Sequence, residues 1–145
     1  LQEAVRCISL LHQELLSFVE EVRFDRLGVF TYSKEENTPA AKMKGQVPAK
    51  EKHRRQKEIM KLQQKIAFEN AEGRIGKRYQ ALIEGKMPRD NVYLARTYMD
   101  APNIDGYLFV ESGEHYESGE FVKVKVTGAK GYDLVGVNTE KKKMI

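Results

Sequence analysis

The chain contains a single cysteine, Cys7, in 145 residues. That rules out an intramolecular disulfide and any metal centre built from several thiolates. Its three histidines, His12, His53 and His115, are isolated from one another, and no serine, histidine and carboxylate share a recognisable catalytic spacing. A glycine-rich phosphate loop is missing as well, since Gly73-Arg-Ile-Gly76 reads as a connection from helix to strand. No apolar run approaches the roughly 18–20 residues that span a bilayer. The first residues lack the basic region, apolar stretch and small-residue cleavage site of a secretory signal. These absences predict a chain that is catalytically silent by itself, makes no membrane contact and resides in the cytoplasm.

What is present is globular in character, with 41% hydrophobic and 32% charged residues. The length suits one domain, or a small domain with a helical extension. The net charge of +4 is unevenly spread: residues 1–41 carry four Lys/Arg against seven Asp/Glu, and residues 42–73 nine against four. Residues 74–138 balance at nine and nine, while Lys141, Lys142 and Lys143 make 139–145 a basic tail. The positive excess therefore falls on one predicted helix and the tail, which reads as a solvated helix face and a loose end. A phosphate-binding module would concentrate it on itself.

Periodicity divides the chain. Val5, Ile8, Leu11, Leu15, Phe18 and Val22 recur at helical steps and predict an amphipathic helix over 3–22 with these residues on one face. Leu27-Gly-Val-Phe-Thr-Tyr32 has the β-branched and aromatic enrichment of a buried strand, and polar 33–46 reads as a loop. Pro48 suits the first turn of a second helix over about 49–71, with Ile59, Leu62 and Ile66 as its stripe. Gly73 is the expected left-handed terminator. From Gly76 the period becomes two. Arg78–Glu84, Val92–Tyr98, Tyr107–Glu111, Glu120–Thr127 and Tyr132–Val137 are five short strand candidates, and Val122, Val124 and Val126 alternate with Lys123 and Lys125. Five short strands favour a small closed barrel, because closure removes sticky edges.

Two stretches resemble a known family. Arg23-Phe-Asp-Arg-Leu-Gly-Val-Phe-Thr-Tyr-Ser-Lys-Glu-Glu-Asn-Thr-Pro-Ala-Ala41 resembles the last barrel strand and following loop of radical-SAM methylthiotransferases. Ala95-Arg-Thr-Tyr-Met-Asp-Ala-Pro-Asn-Ile-Asp-Gly106 resembles the Arg-Thr, Asp-Ala-Pro and apolar-Asp-Gly pattern of their TRAM domain, a five-stranded barrel of OB-like character. Where tRNA-directed members usually show Arg-Pro-Gly-Thr after the Tyr-Ser pair, this chain has Glu35-Glu36-Asn37-Thr38, the acidic form of the RimO branch. Asn37 departs from the usual glycine, but asparagine also tolerates left-handed geometry. Leu1 to Gln13 contains nothing like the family's Gly-x-Pro-Gly-Glu-Thr loop and is unmatched.

The resemblance implies an α+β chain: a helix-strand-helix remnant of a radical-SAM α/β barrel over 1–47, a linking helix over 48–75, and a five-stranded antiparallel TRAM barrel over 76–138. It implies the C-terminal, substrate-docking part of an enzyme that methylthiolates an aspartate of a small-subunit ribosomal protein. The full-length family uses two 4Fe–4S clusters and S-adenosylmethionine, held by cysteines this chain lacks, so no cofactor is expected here. Phe30 and Tyr32 would neighbour the barrel mouth. Glu35, Glu36, Asn37, Thr38, Arg96, Tyr98 and Asp100 would contact substrate. Pro102 would stiffen the turn entry and Gly106 would supply a positive φ. An alternative stays open, in which a free-standing TRAM-type module binds RNA through Tyr93, Tyr98, Tyr107 and Phe109 and the Lys/Arg-rich second helix, or the chain is part of a tRNA-directed enzyme. Arg96 is equally readable as an edge arginine pairing with Glu84 or Asp100. An unpaired strand over 27–32 would invite a dimer.

Overall fold

The computed structural model describes residues 2–88 and 91–140, with side chains from residue 10 onward. The Lys141–Lys143 tail and the side chains of Val5, Cys7 and Ile8 lie outside that description. The chain divides into two compact units, Leu1–Ala67 and Phe68–Ile145.

In the first unit, helix α1 spans Gln2–Val22 and a four-residue helix α2 spans Pro39–Lys42; α3 (Ala49–Glu72) begins in this unit and its last residues belong to the second. The stripe expected on α3 is in place, for Ile59 and Ile66 are buried and Leu62 packs against them. The face expected on α1 is rotated. His12 and Val19 are buried and Leu16 partly so, while Leu11, Leu15, Phe18 and Val22 remain exposed. The apolar surface of α1 is wider than the contact it makes in this unit. Periodicity measures that surface, not which part of it is covered.

Residues 27–32 form no strand, which corrects the expected buried strand. The segment has no regular secondary structure, with Leu27 and Val29 packed toward the helices and Phe30 91% exposed. Its sequence favours a strand, but no other strand runs beside it among the described residues of this unit. Side chains of α3 serve two of its carbonyls, and that of Phe24 before it, instead. Gln63 Nε2 donates to Phe24 O at 2.7 Å, Gln56 Nε2 to Val29 O at 2.8 Å, and Lys52 Nζ to Tyr32 O at 2.9 Å. Carbonyls shielded from water need partners, and here two glutamine side-chain amides supply them for Phe24 and Val29, with the Lys52 ammonium on the exposed Tyr32 carbonyl.

The second unit is the barrel. Strands β1 (Arg78–Lys86), β2 (Val92–Thr97), β3 (Leu108–Glu111), β4 (Phe121–Lys130) and β5 (Asp133–Asn138) close in the order β1-β2-β3-β5-β4. Four of the five pairings are antiparallel, but β3 and β5 run parallel, with Leu108 opposite Leu134 and Glu111 opposite Val137. The barrel is therefore mixed rather than antiparallel. β4 returns beside β1 instead of β3, so β5, its hairpin partner, must close the barrel against β3 in the same direction. Alternation fills the interior as expected: Ala81, Ile83, Tyr93, Ala95, Val110 and Val124 are almost wholly buried. Each large apolar side chain so buried contributes about 1.5–3 kcal/mol.

Two glycines act differently from expectation. The left-handed residue after α3 is Gly76, with φ 88°, not Gly73. Gly106 is not left-handed; that role falls to Asn103, with φ 59°. Gly106 is needed for proximity, because a Cβ there would lie 2.0 Å from the carbonyl oxygen of Tyr132.

Candidate docking surfaces

The turn from β2 to β3 is held by its own side chains. Asp100 Oδ2 accepts from the Thr97 hydroxyl at 2.7 Å and from Thr97 N–H at 3.3 Å, and the Thr97 hydroxyl oxygen accepts from Met99 N–H at 3.2 Å. Asp105 Oδ2 accepts from Ala101 N–H at 2.7 Å. Where the chain leaves the turn, Tyr107 N–H donates to Asp133 Oδ1 at 2.9 Å. The Asp-Ala-Pro and Ile-Asp-Gly pattern is thus a backbone-shaping device, its carboxylates replacing absent ladder partners.

The barrel's site residues differ in how free they are. Arg96 Nε stands 2.8 Å from Glu84 Oε1, one of the two partners its sequence suggested. The contact is one of charge, for no acceptor lies in line with that N–H. Asp100 is committed to Thr97. Tyr98, in contrast, is 86% exposed. Of the other aromatics considered as stacking faces, Tyr93 is core, its hydroxyl donating to Glu114 O at 3.0 Å and its ring edge-on to Tyr116. Tyr107 and Phe109 are half-buried and touch edge to face at 6.4 Å. Burial, with Glu114 beside it, pushes the Tyr116 phenol above its ordinary value, and the same hydroxyl accepts from Asn138 Nδ2 at 2.6 Å.

In the first unit, Glu35, Glu36, Asn37 and Thr38 share one turn. Asn37 has φ 65°, the left-handed geometry its side chain tolerates. Thr38 caps α2: its hydroxyl donates to Glu35 O at 2.9 Å and accepts from Ala41 N–H at 3.2 Å. Glu35 and Glu36 are exposed. Phe30 and Tyr32 line a groove of about 360 Å³ together with Leu11, Leu15, Val47 and Ile59. Lys52 reaches over the Tyr32 ring, 5.0 Å from its centroid.

Two arrangements escaped the sequence reading. His12, read there as isolated, is buried and bonded to Glu58 at 2.8 Å, and Glu58 also accepts from Arg54. His12 first and Arg54 after it hold the Glu58 carboxyl below its usual range. On the barrel's outside, Arg78 of β1 lies directly opposite Lys125 of β4, Gln80 opposite Lys123, and Leu82 opposite exposed Phe121. A module of zero net charge thus has a basic and aromatic stripe. Strand parity hinted at it, but register decides it.

The donor set does not suit an iron–sulfur cluster. One cysteine cannot supply three thiolates, and among the described residues no three His, Cys, Asp or Glu groups gather as metal ligands. No helix among the described residues is long and apolar enough to cross a membrane.

A closed five-stranded barrel with this turn defines a TRAM-type module, and residues 75–138 match the family described as TRAM domain. Beyond the barrel, similarity extends over most of the chain. It is 59% identical over 125 residues to the Ribosomal protein uS12 methylthiotransferase RimO of Lachnoclostridium phytofermentans. It is 46% and 44% identical, each over 124 residues, to the proteins of the same name from Clostridioides difficile and Thermoanaerobacter sp. strain X514. Each match covers 86% of this chain and 28% of the relative. The chain belongs to the RimO-type methylthiotransferase family, whose C-terminal portion it resembles, and spans little more than a quarter of the relatives it matches.

Proposed function

We propose that this chain is the substrate-docking part of a radical-SAM methylthiotransferase acting on an aspartate of ribosomal protein uS12 in the cytoplasm. The observation that carries the reading is the 59% identity over 125 residues to a protein named for that activity. Residues 1–47 would end the radical-SAM barrel, 48–75 link, and 76–138 dock. The two clusters and S-adenosylmethionine would supply the sulfur-insertion chemistry from outside this chain, whose donors do not fit a cluster. Its own residues bind and orient. Phe30 and Tyr32 offer an apolar wall at the barrel mouth. The exposed Glu35–Glu36 pair attracts a basic protein and repels a phosphate backbone, and Tyr98 meets the partner at the docking face, with Arg96 and Asp100 beside it holding the local structure.

A second reading is favoured by the Arg78–Lys125 and Phe121 stripe, which suits a single-stranded RNA. A salt-series titration of the 145-residue chain against uS12 and against a tRNA mixture decides between them. Preferential uS12 binding at about 150 mM salt, near physiological ionic strength, is the expected result. Tight tRNA binding that collapses with salt would move the function to RNA, because counterion release makes phosphate contacts steeply salt-dependent.

A further inference from the structure

The β2–β3 turn combines two properties that rarely coincide by accident. It is tightly braced, and it holds large apolar side chains in water. Asp100 and Asp105 each accept a backbone N–H within the turn, and Asn103 takes the left-handed step. Two further bonds close it, from Ile104 N–H to Ala101 O at 3.4 Å and from Asp105 N–H to Ala101 O at 3.3 Å. On this frame Tyr98 is 86% and Ile104 83% exposed, with Pro102 exposed between them. Single exposed apolar residues are ordinary. Two on one braced turn are a different matter, because the ordering cost of a contact has already been met.

The polar groups of the turn are already engaged, which narrows what it can recognise. Asp100 and Asp105 serve the backbone and Arg96 faces Glu84. What the turn still offers is an aromatic ring with a polar tip and a branched aliphatic, the kind of anchor that fills a pocket in a protein partner. Charge points the same way. Residues 97–122 contain six Asp/Glu and no Lys or Arg. The turn thus presents two carboxylates and no cation, which repels phosphate and suits a basic protein. Ile104 has no π-face on which a base could stack.

We infer that Tyr98 and Ile104 are the barrel's anchors for its basic ribosomal-protein substrate, and that Asp100 and Asp105 are positioning residues that shape the turn without touching the partner. The inference rests on the docking function proposed above. It also separates the barrel's surfaces, leaving the Arg78–Lys125 stripe of β1 and β4 outside the protein contact.

The test is binding of the 145-residue chain to purified uS12, by anisotropy at physiological salt, for wild type, Tyr98→Ala, Ile104→Ala, Asp105→Asn and Asp105→Ala. Far-UV circular dichroism checks each variant's fold. Both side chains are exposed, so Tyr98→Ala and Ile104→Ala leave the barrel intact while each weakens uS12 binding about tenfold or more, as anchor residues do. Asp105→Asn keeps an oxygen for Ala101 N–H and stays within about twofold of wild type, whereas Asp105→Ala loses that acceptor and binds more weakly. Unchanged binding by Tyr98→Ala and Ile104→Ala overturns the anchors while the docking function stands. Equal losses in Asp105→Asn and Asp105→Ala overturn the positioning role. Failure of the wild type to bind uS12 removes the docking function and the anchors with it. Loss of tRNA rather than uS12 affinity in Tyr98→Ala reassigns the turn to RNA.

Discussion

Replacing Gly106 by alanine asks the most of the barrel for the smallest chemical change. The added methyl carbon would lie 2.0 Å from Tyr132 O and 2.6 Å from Tyr132 C. Even a close carbon-to-oxygen contact needs about 3.3 Å, so two stretches of backbone must part by more than an ångström. The stretches in question start the parallel pairing of β3 and β5. Tyr107 N–H donates to Asp133 Oδ1 at 2.9 Å, and Leu134 N–H donates to Tyr107 O at 2.8 Å. Losing two hydrogen bonds costs about 1 kcal/mol each, and overpacking against rigid backbone adds about 1–3 kcal/mol. The expected destabilisation is about 3–5 kcal/mol, a large share of the roughly 5–15 kcal/mol that holds a typical domain. Urea unfolding followed by tyrosine fluorescence reads it directly. A loss below about 1 kcal/mol would refute the reasoning, since it would mean that Gly106 is not pinned against Tyr132.

Other perturbations probe the remaining joints. Tyr93→Phe keeps the core ring but removes the hydroxyl that donates to Glu114 O and accepts from Tyr116 N–H at 3.4 Å; a loss of about 1–2 kcal/mol is expected in the same urea assay. Gln63→Leu leaves Phe24 O without its amide donor and is expected to cost the first unit about 1–3 kcal/mol, read as faster amide exchange over 24–29. Acid should loosen the start of α3. Hydrogen bonds from Arg54 and then Arg55 hold the Glu51 carboxyl at about 2 rather than 4.5. A depressed carboxylate stabilises the fold above its unfolded value and loses that contribution as pH falls through the folded one. Helicity followed by circular dichroism should therefore decline between 4.5 and about 2 more in wild type than in Glu51→Gln.

Local patterns carried much of the architecture. Val122, Val124 and Val126 announced an inward face of β4, and the Ile59–Ile66 spacing announced the buried side of α3, because both depend only on the pitch of their own element. Non-local facts stayed hidden. Nothing in residues 133–138 says that they run parallel to β3; chain closure decides that. Leu27–Tyr32 has strand composition, yet pairing needs a neighbour, and Gln56 and Lys52 of α3 take the neighbour's place. Gly106 was legible as a turn glycine, but for a positive φ it does not adopt, since proximity to Tyr132 arises only after β5 is in place. The turn's motif was legible in full, whereas the division between its braces, Asp100 and Asp105, and its exposed tips, Tyr98 and Ile104, needed coordinates. Zero net charge concealed the Arg78–Lys125 stripe for the same reason, as a sum over sequence says nothing about strand register.

The most direct test of docking is an amide-exchange footprint of the 145-residue chain with and without uS12. Docking through the β2–β3 turn predicts added protection centred on residues 97–107, with the Arg78–Leu82 and Phe121–Lys125 strands unchanged. Protection of those two strands with the turn unaffected, or none anywhere at saturating uS12, would contradict it.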